Sequence, residues 1–122
     1  MTLRRITLQL ARNPGRPAGD PGQGYFIVAP LNDLDQLDID AWRQNPKASR
    51  VVRFHPDPAE KADGWLTHRG QNWFLHYDEE AEGGDESVFR LGAHKFREGE
   101  YVTITDDDGD AQTYKVTDVS PV

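Results

Sequence analysis

The sequence predicts a mostly β domain of the α+β class, a small antiparallel β-barrel-like sheet with one short α-helix. Three observations predict it. Eight short stretches have strand patterning, a single stretch has the signals of a helix, and turn residues separate the strands at short intervals. The 122 residues, which include 3 Trp, 4 Tyr and 5 Phe, suffice for one core. We therefore expect a single domain over residues 1–122.

The closing hairpin, residues 100–116, has the clearest pattern. Apolar and polar residues alternate with the period of 2 that is typical of a strand with one buried face. A three-residue loop over 107–109, with Gly109 in the left-handed conformation, pairs Val102 with Tyr114. A two-residue turn would instead set Val102 against Lys115. We predict the longer loop, because it gathers four apolar side chains on one face: Val102, Ile104, Tyr114 and Val116.

The other predicted strands follow from the same patterning, and they cover about residues 3–12, 25–29, 51–55, 65–69, 72–78 and 88–91. The first of them alternates polar and apolar residues, which predicts a strand and not the apolar segment of a signal peptide. Pro and Gly residues over 13–24 predict a loop. We also expect a polar loop over 56–64, an acidic loop over 79–86 and a turn over 92–99.

One helix is predicted over residues 38–45. Asp38 can cap its N-terminus, Asp40 suits the positive end of the helix dipole, and Pro46 ends it. Trp42 is the natural residue for its buried side. No stretch has the length and apolarity of a membrane span.

The hairpin over residues 65–78 carries the candidate site. A type II′ turn at 70–71 pairs Arg69 with Asn72 and directs one set of side chains to the core: Leu66, His68, Trp73, Leu75 and Tyr77. The opposite face carries the candidate ligand- or partner-binding residues Trp65, Thr67, Phe74 and His76. Large aromatic side chains on an outward sheet face are typical of a contact surface. In the alternative interpretation, Trp42 or the first strand covers this face as part of the core.

The charge is acidic but uneven. The net charge is −7, with 8 Lys and Arg against 5 Asp and Glu over residues 1–53, and 6 against 16 over residues 54–122. An acidic balance disfavours a dedicated nucleic-acid-binding protein. The chain has no Cys, which excludes disulfides and thiolate chemistry and fits a cytoplasmic location. We expect a monomer whose partner is a protein or peptide, with no membrane association.

Signals for catalysis and metal binding are weak, so we predict no catalytic residue, no metal site and no cofactor. The four histidines lack the spacing of a zincin motif. His68 and His76 fall on opposite faces of their hairpin. The acidic run over 106–110 lacks the residue order of an EF-hand loop and is typical of a hairpin turn.

Two resemblances accompany these patterns. Residues 96–104 and 114–116 resemble the closing strands of SH3-like small β-barrels. Over most of its length the chain also resembles a group of small uncharacterised bacterial proteins, through Gly24-Tyr-Phe, Leu37-Asp-Ile-Asp-Ala-Trp, Val51-Val-Arg-Phe and Phe89-Arg-Leu-Gly-Ala-His-Lys-Phe-Arg-Glu-Gly-Glu-Tyr-Val. The second resemblance implies no activity and no functional residues.

The residues favour a non-catalytic binding or interaction module. One alternative is a small hydrolase or isomerase that uses a histidine, His55 or His94, together with Asp or Glu in a cleft beside the 13–24 loop. A second alternative is local nucleic-acid contact through the basic first half, which would show a steep dependence on salt.

Overall fold

The computed structural model describes residues 2–69, 72–77, 86–88, 95–105 and 109–122. This part of the chain contains one α-helix, α1 (Ile39–Gln44), and two short 3-10 helices, Pro46–Ala48 and Pro58–Glu60. It also contains eight strands: β1 (Thr2–Leu10), β2 (Asp20–Leu31), β3 (Arg50–Phe54), β4 (Ala62–Arg69), β5 (Asn72–Tyr77), β6 (Glu86–Val88), β7 (Tyr101–Thr105) and β8 (Ala111–Pro121).

The strands form one closed antiparallel barrel. Each strand pairs with the next one along the chain, and β8 returns to pair with β1. Each described strand is therefore paired on both sides along at least part of its length, which limits the exposed edges at which sheets aggregate. The predicted fold class, a mostly β barrel-like sheet with one short helix, is confirmed.

The core fills the inside of the barrel. Its buried side chains come from the inward positions of most of the strands. They include Ile6, Leu8, Tyr25, Ile27, Val51, Leu66, Leu75, Val102, Ile104 and Val116. Phe96, from the segment before β7, is also fully buried. Its backbone N–H donates to the carbonyl of Asp35 at 2.8 Å, and Arg97 pairs with the Asp35 carboxylate at 2.8 Å. These bonds hold the segment against the loop that follows β2.

The closing hairpin has the predicted register. Val102 pairs with Tyr114, and all four predicted core residues are buried. Gly109 adopts a φ of 88°, the left-handed conformation that a turn glycine provides. Residues 106–108 lie outside the described residues. The register that defines the hydrophobic face is therefore confirmed.

The predicted loop over 13–24 is wrong for its last five residues, since β2 already begins at Asp20. β1 pairs Gln9 with Gly24 and then Leu10 with Asp20, so that residues 21–23 bulge out of this ladder. A proline is tolerated in such a bulge because it need not donate a ladder hydrogen bond. The Pro and Gly content therefore marks an irregular strand here, and not a connection.

Two other strands are longer than predicted, and one is shorter. β4 begins at Ala62, inside the predicted loop over 56–64, because residues 62–64 pair with β3. β8 continues from residue 116 to Pro121 because Val119 and Ser120 pair with β1, which closes the barrel. β1 ends at Leu10, two residues early. Of the predicted strand over 88–91, only Val88 lies within the described residues, and there β6 runs from Glu86 to Val88.

The helix is confirmed to within one residue at each end. The Asp38 carboxylate accepts a hydrogen bond from the N–H of Ala41 at 3.1 Å, which is the expected N-cap. Trp42 is 9% exposed and forms the buried side of the helix. Among the described residues, no helix combines the length and the apolarity that crossing a membrane requires.

Candidate functional site

The hairpin of β4 and β5 has the register that the sequence predicts. Arg69 pairs with Asn72, and the predicted turn residues 70–71 lie outside the described residues. Trp65 pairs with His76, and Thr67 with Phe74, and all four side chains are partly exposed. The opposite face carries the buried side chains Leu66, Trp73 and Leu75. The four candidate residues therefore share the outward face of the barrel.

Trp42 packs against the other face of this hairpin. Its ring lies 5.3 Å from that of Trp73, and its indole N–H donates to the carbonyl of Leu66 at 3.0 Å. Because Leu66 and Trp73 both point inward, α1 completes the core instead of covering the face of Trp65. The alternative interpretation, in which Trp42 buries that face, does not hold.

Cationic side chains lie over the outward aromatic rings. The Nζ atom of Lys47 is 5.6 Å from the centre of the Trp65 ring, and the Cζ atom of Arg69 is 4.4 Å from the centre of the Phe74 ring. The rings of Trp65 and His76 are 5.0 Å apart. A cation over a ring is attracted electrostatically to the negative face of the π-system, and its charge can still be hydrated. This arrangement supplies apolar area and positive charge together.

The same face continues onto β2 and β3, which sequence reasoning missed. Phe26 points outward opposite Val52, and its ring lies 4.9 Å from that of Phe54. Val52 is 37% exposed, and the guanidinium of Arg5 lies 5.6 Å from the Phe26 ring centre. Phe26 lies in the run Tyr25-Phe-Ile-Val-Ala, which is apolar at every position. Such a run has no alternation of polar and apolar residues that would show which side chains point outward.

We call this surface the aromatic–basic face. Its residues lie on the outside of β1 to β5 or reach over it from the 3-10 helix before β3: Arg5, Phe26, Lys47, Arg50, Val52, Phe54, Trp65, Thr67, Arg69, Phe74 and His76. Arg50 belongs to it because it pairs with Trp65. Two carboxylates also face outward nearby, Asp63 opposite Val52 and Asp118 opposite Thr7. Among the described residues of this surface, positive side chains outnumber these two carboxylates, although the whole chain is acidic.

His68 points to the inside, between two tryptophans. Its ring lies 4.6 Å from that of Trp73 and 6.0 Å from that of Trp42. Burial, and secondarily the positive charge of Arg43, lowers the pKa of His68 below its usual value. The neutral imidazole is therefore part of the aromatic packing at this end of the barrel.

The residues of the enzyme alternative are held in turn structures. The Nδ1 atom of His55 accepts a hydrogen bond from the N–H of Asp57 at 2.9 Å. Nearby, Asp20 accepts from the N–H of Gly22 at 2.8 Å and from the side chain of Gln23 at 2.9 Å. The backbone bond, followed by the Gln23 bond, lowers the pKa of Asp20, which keeps it ionised and unsuited to act as a general acid.

Metal ligands are not brought together in the described part of the chain, where no group of three His, Asp or Glu side chains has a ligand arrangement. His94 and residues 106–108 lie outside it, as does most of the acidic stretch 79–86.

No family model, curated protein or solved structure matches the chain. The resemblances to SH3-like barrels and to a bacterial group stay predictions.

Proposed function

We propose that this protein is a non-catalytic binding module that holds an acidic segment of a partner protein on the aromatic–basic face. The observation that carries the proposal is the pairing of ring and cation. Trp65 and Phe74 each lie beneath a basic side chain on an outward face. Tryptophan and arginine are the residue types that most often dominate binding energy at protein interfaces.

An acidic peptide fits this face in two ways. Its carboxylates can pair with Lys47, Arg50 and Arg69, while its apolar side chains contact ring area left between them. Carboxylates that pair with Lys47 and Arg69 would leave these cations over the rings of Trp65 and Phe74. Electrostatic complementarity of this kind raises the association rate and selects against basic partners.

A single nucleic-acid strand is a poorer fit to the same geometry. Bases bind such surfaces by stacking on open ring faces. Here Lys47 lies over Trp65, Arg69 over Phe74 and Arg5 over Phe26, so that stacking would displace these cations.

The test is an amide NMR titration of the labelled protein with a short peptide that alternates glutamate and leucine. Peptides with lysine or glutamine in place of glutamate are the matched ligands. We expect shifts on β3, β4 and β5 with the glutamate peptide alone. Trp65→Ala should weaken binding by about 2 kcal/mol, roughly thirtyfold, as expected for the loss of a central aromatic anchor.

Tyr101→Ala is the control for Trp65→Ala, because Tyr101 is 54% exposed but lies on β7, away from the face. Lys47→Gln should also weaken binding of the glutamate peptide, because it removes a positive charge from the face, and Lys115→Gln on β8 is its control. Equal binding of the glutamate and lysine peptides, or equal losses in Trp65→Ala and Tyr101→Ala, would contradict the proposal. Tighter binding of an oligothymidylate, with affinity falling steeply with salt, would assign the face to nucleic acid instead.

A further inference from the structure

A half-open pocket of about 190 Å³ lies between the start of β1, the end of β2 and the chain that leads from α1 to β3. Leu3 and Pro30 line it from the barrel, where they are paired across the β1–β2 ladder. Ala41 and Ala48 line it from α1 and from the 3-10 helix that follows. These side chains give the pocket a mainly apolar surface, which favours an uncharged, apolar group.

Two amide side chains complete the accessible lining. Gln44 and Asn45 both border the pocket and are exposed. A side-chain amide can donate and accept hydrogen bonds, as the backbone of a bound peptide requires. Ser49 lies behind this lining, and its buried hydroxyl is not part of the surface that a ligand meets. The pocket therefore suits an apolar side chain that is carried by a peptide backbone.

The pocket adjoins the aromatic–basic face on two sides. Leu3 and Arg5 are two residues apart on β1, so their side chains leave the same side of the sheet about 7 Å apart. The guanidinium of Arg5 lies over a ring of the face, 5.6 Å from its centre. Ala48 directly follows Lys47, which also belongs to the face. An uncharged pocket is thus flanked by positive side chains.

We propose that this pocket holds one large apolar side chain, such as leucine or phenylalanine, of the acidic segment that binds the aromatic–basic face. This inference rests on the function proposed above. The volume sets the size of the side chain, because a cavity of about 150 Å³ already accommodates benzene. The flanking cations set the spacing. In an extended peptide, side chains two residues apart lie on one side and about 7 Å apart, so carboxylates belong two to four residues from the apolar side chain.

The test uses a short peptide in which glutamate and serine alternate and leucine replaces the central glutamate. The matched ligand has alanine in place of this leucine. Amide NMR titrations should show shifts on β3, β4 and β5 with both peptides, but shifts at Leu3, Ala41 and Ala48 with the leucine peptide alone. The leucine peptide should bind about tenfold more tightly, because the pocket removes part of the leucine side chain from water.

Ala41→Leu should fill the pocket and remove this preference, with no change in the affinity for the alanine peptide. Ala48→Leu should do the same from the adjoining 3-10 helix, so that a folding defect in one variant does not decide the result. Ala111→Leu is the control and should keep the preference. It adds the same side chain at the exposed start of β8, whose opposite end pairs with the start of β1.

Equal affinity for the two peptides, with shifts on the face, would overturn this inference and leave the function proposed for the face intact. A preference that survives in both filled variants would also overturn it. If neither peptide binds, both proposals fail. Shifts at Ala41 and Ala48 that grow with protein concentration in the absence of peptide would assign the pocket to a second copy of this chain instead.

Discussion

Trp65 and Trp73 offer a direct test of which face of the β4–β5 hairpin belongs to the core. Each tryptophan is paired across the hairpin with a histidine, Trp65 with His76 and Trp73 with His68. Trp73 is 5% exposed and packs on Trp42, so Trp73→Ala should lower the free energy of unfolding by about 3–5 kcal/mol. That is a large part of the roughly 5–15 kcal/mol that stabilises a domain of ordinary size.

Trp65→Ala should cost much less. It removes an aromatic contact worth about 0.5–1.5 kcal/mol and a cation–π contact with Lys47 worth about 0.5–1 kcal/mol. The expected loss is therefore about 1–2.5 kcal/mol. At about 4 °C per kcal/mol for a chain of this length, the two variants should differ in Tm by about 8–10 °C.

Urea unfolding followed by far-UV circular dichroism is the suitable assay, because tryptophan fluorescence itself changes in both variants. The m value should stay constant so that the midpoints report stability alone. If Trp65→Ala is as destabilising as Trp73→Ala, then Trp65 belongs to the core. The binding face would then lose its central residue.

Three further variants test the packing of the barrel, each by the same unfolding assay. In Gly24→Ala the new Cβ would overlap the carbonyl oxygen of Leu8, so stability should fall by about 1–3 kcal/mol or more, whereas a change within 0.5 kcal/mol would contradict this close approach. Trp42→Phe keeps a ring but leaves the buried carbonyl of Leu66 without its donor, and should cost about 1–3 kcal/mol. Because burial lowers the pKa of His68 in the folded state, the unfolded chain binds a proton first as the pH falls. Stability should therefore decrease below about pH 6.5, and His68→Phe should reduce this slope.

Both hairpin registers could be predicted because two independent signals agree in each. In the last hairpin, the alternation of polar and apolar residues is compatible with loops of two or three residues. The three-residue loop is favoured because it places the four apolar side chains on one face. In the β4–β5 hairpin, a Gly at the first turn position selects a two-residue turn, which sends Leu66 and Leu75 to one side and Trp65 to the other. A side-chain period of 2 then determines every other position of the strand.

The start of β2 could not be predicted, because Pro and Gly residues break regular strands but are tolerated in bulges. Residues 21–23 leave the β1 ladder, and pairing with β1 resumes at Asp20. Whether these residues end the strand or lie in a bulge depends on the pairing with β1, in which Leu10 lies opposite Asp20. Local composition does not contain that information.

The aromatic–basic face was only partly predictable for the same reason. Trp65 and Phe74 alternate cleanly with buried residues, whereas Phe26 lies in an apolar run in which no face is distinguishable. Lys47 reaches Trp65 from a 3-10 helix some eighteen positions earlier in the chain. Contacts of this kind arise from the closure of the barrel and have no local signature.

The register of the β4–β5 hairpin decides both the core and the candidate site. A slip by one residue would turn Trp65 and Phe74 inward and bring Leu66 and Leu75 to the surface. Such a slip is opposed twice, because β4 is also paired with β3, where Arg50 lies opposite Trp65. The outward residues are thus held by the same ladders that hold the core. A partner binding this face need not order the backbone beneath it, which reduces the entropic cost of association.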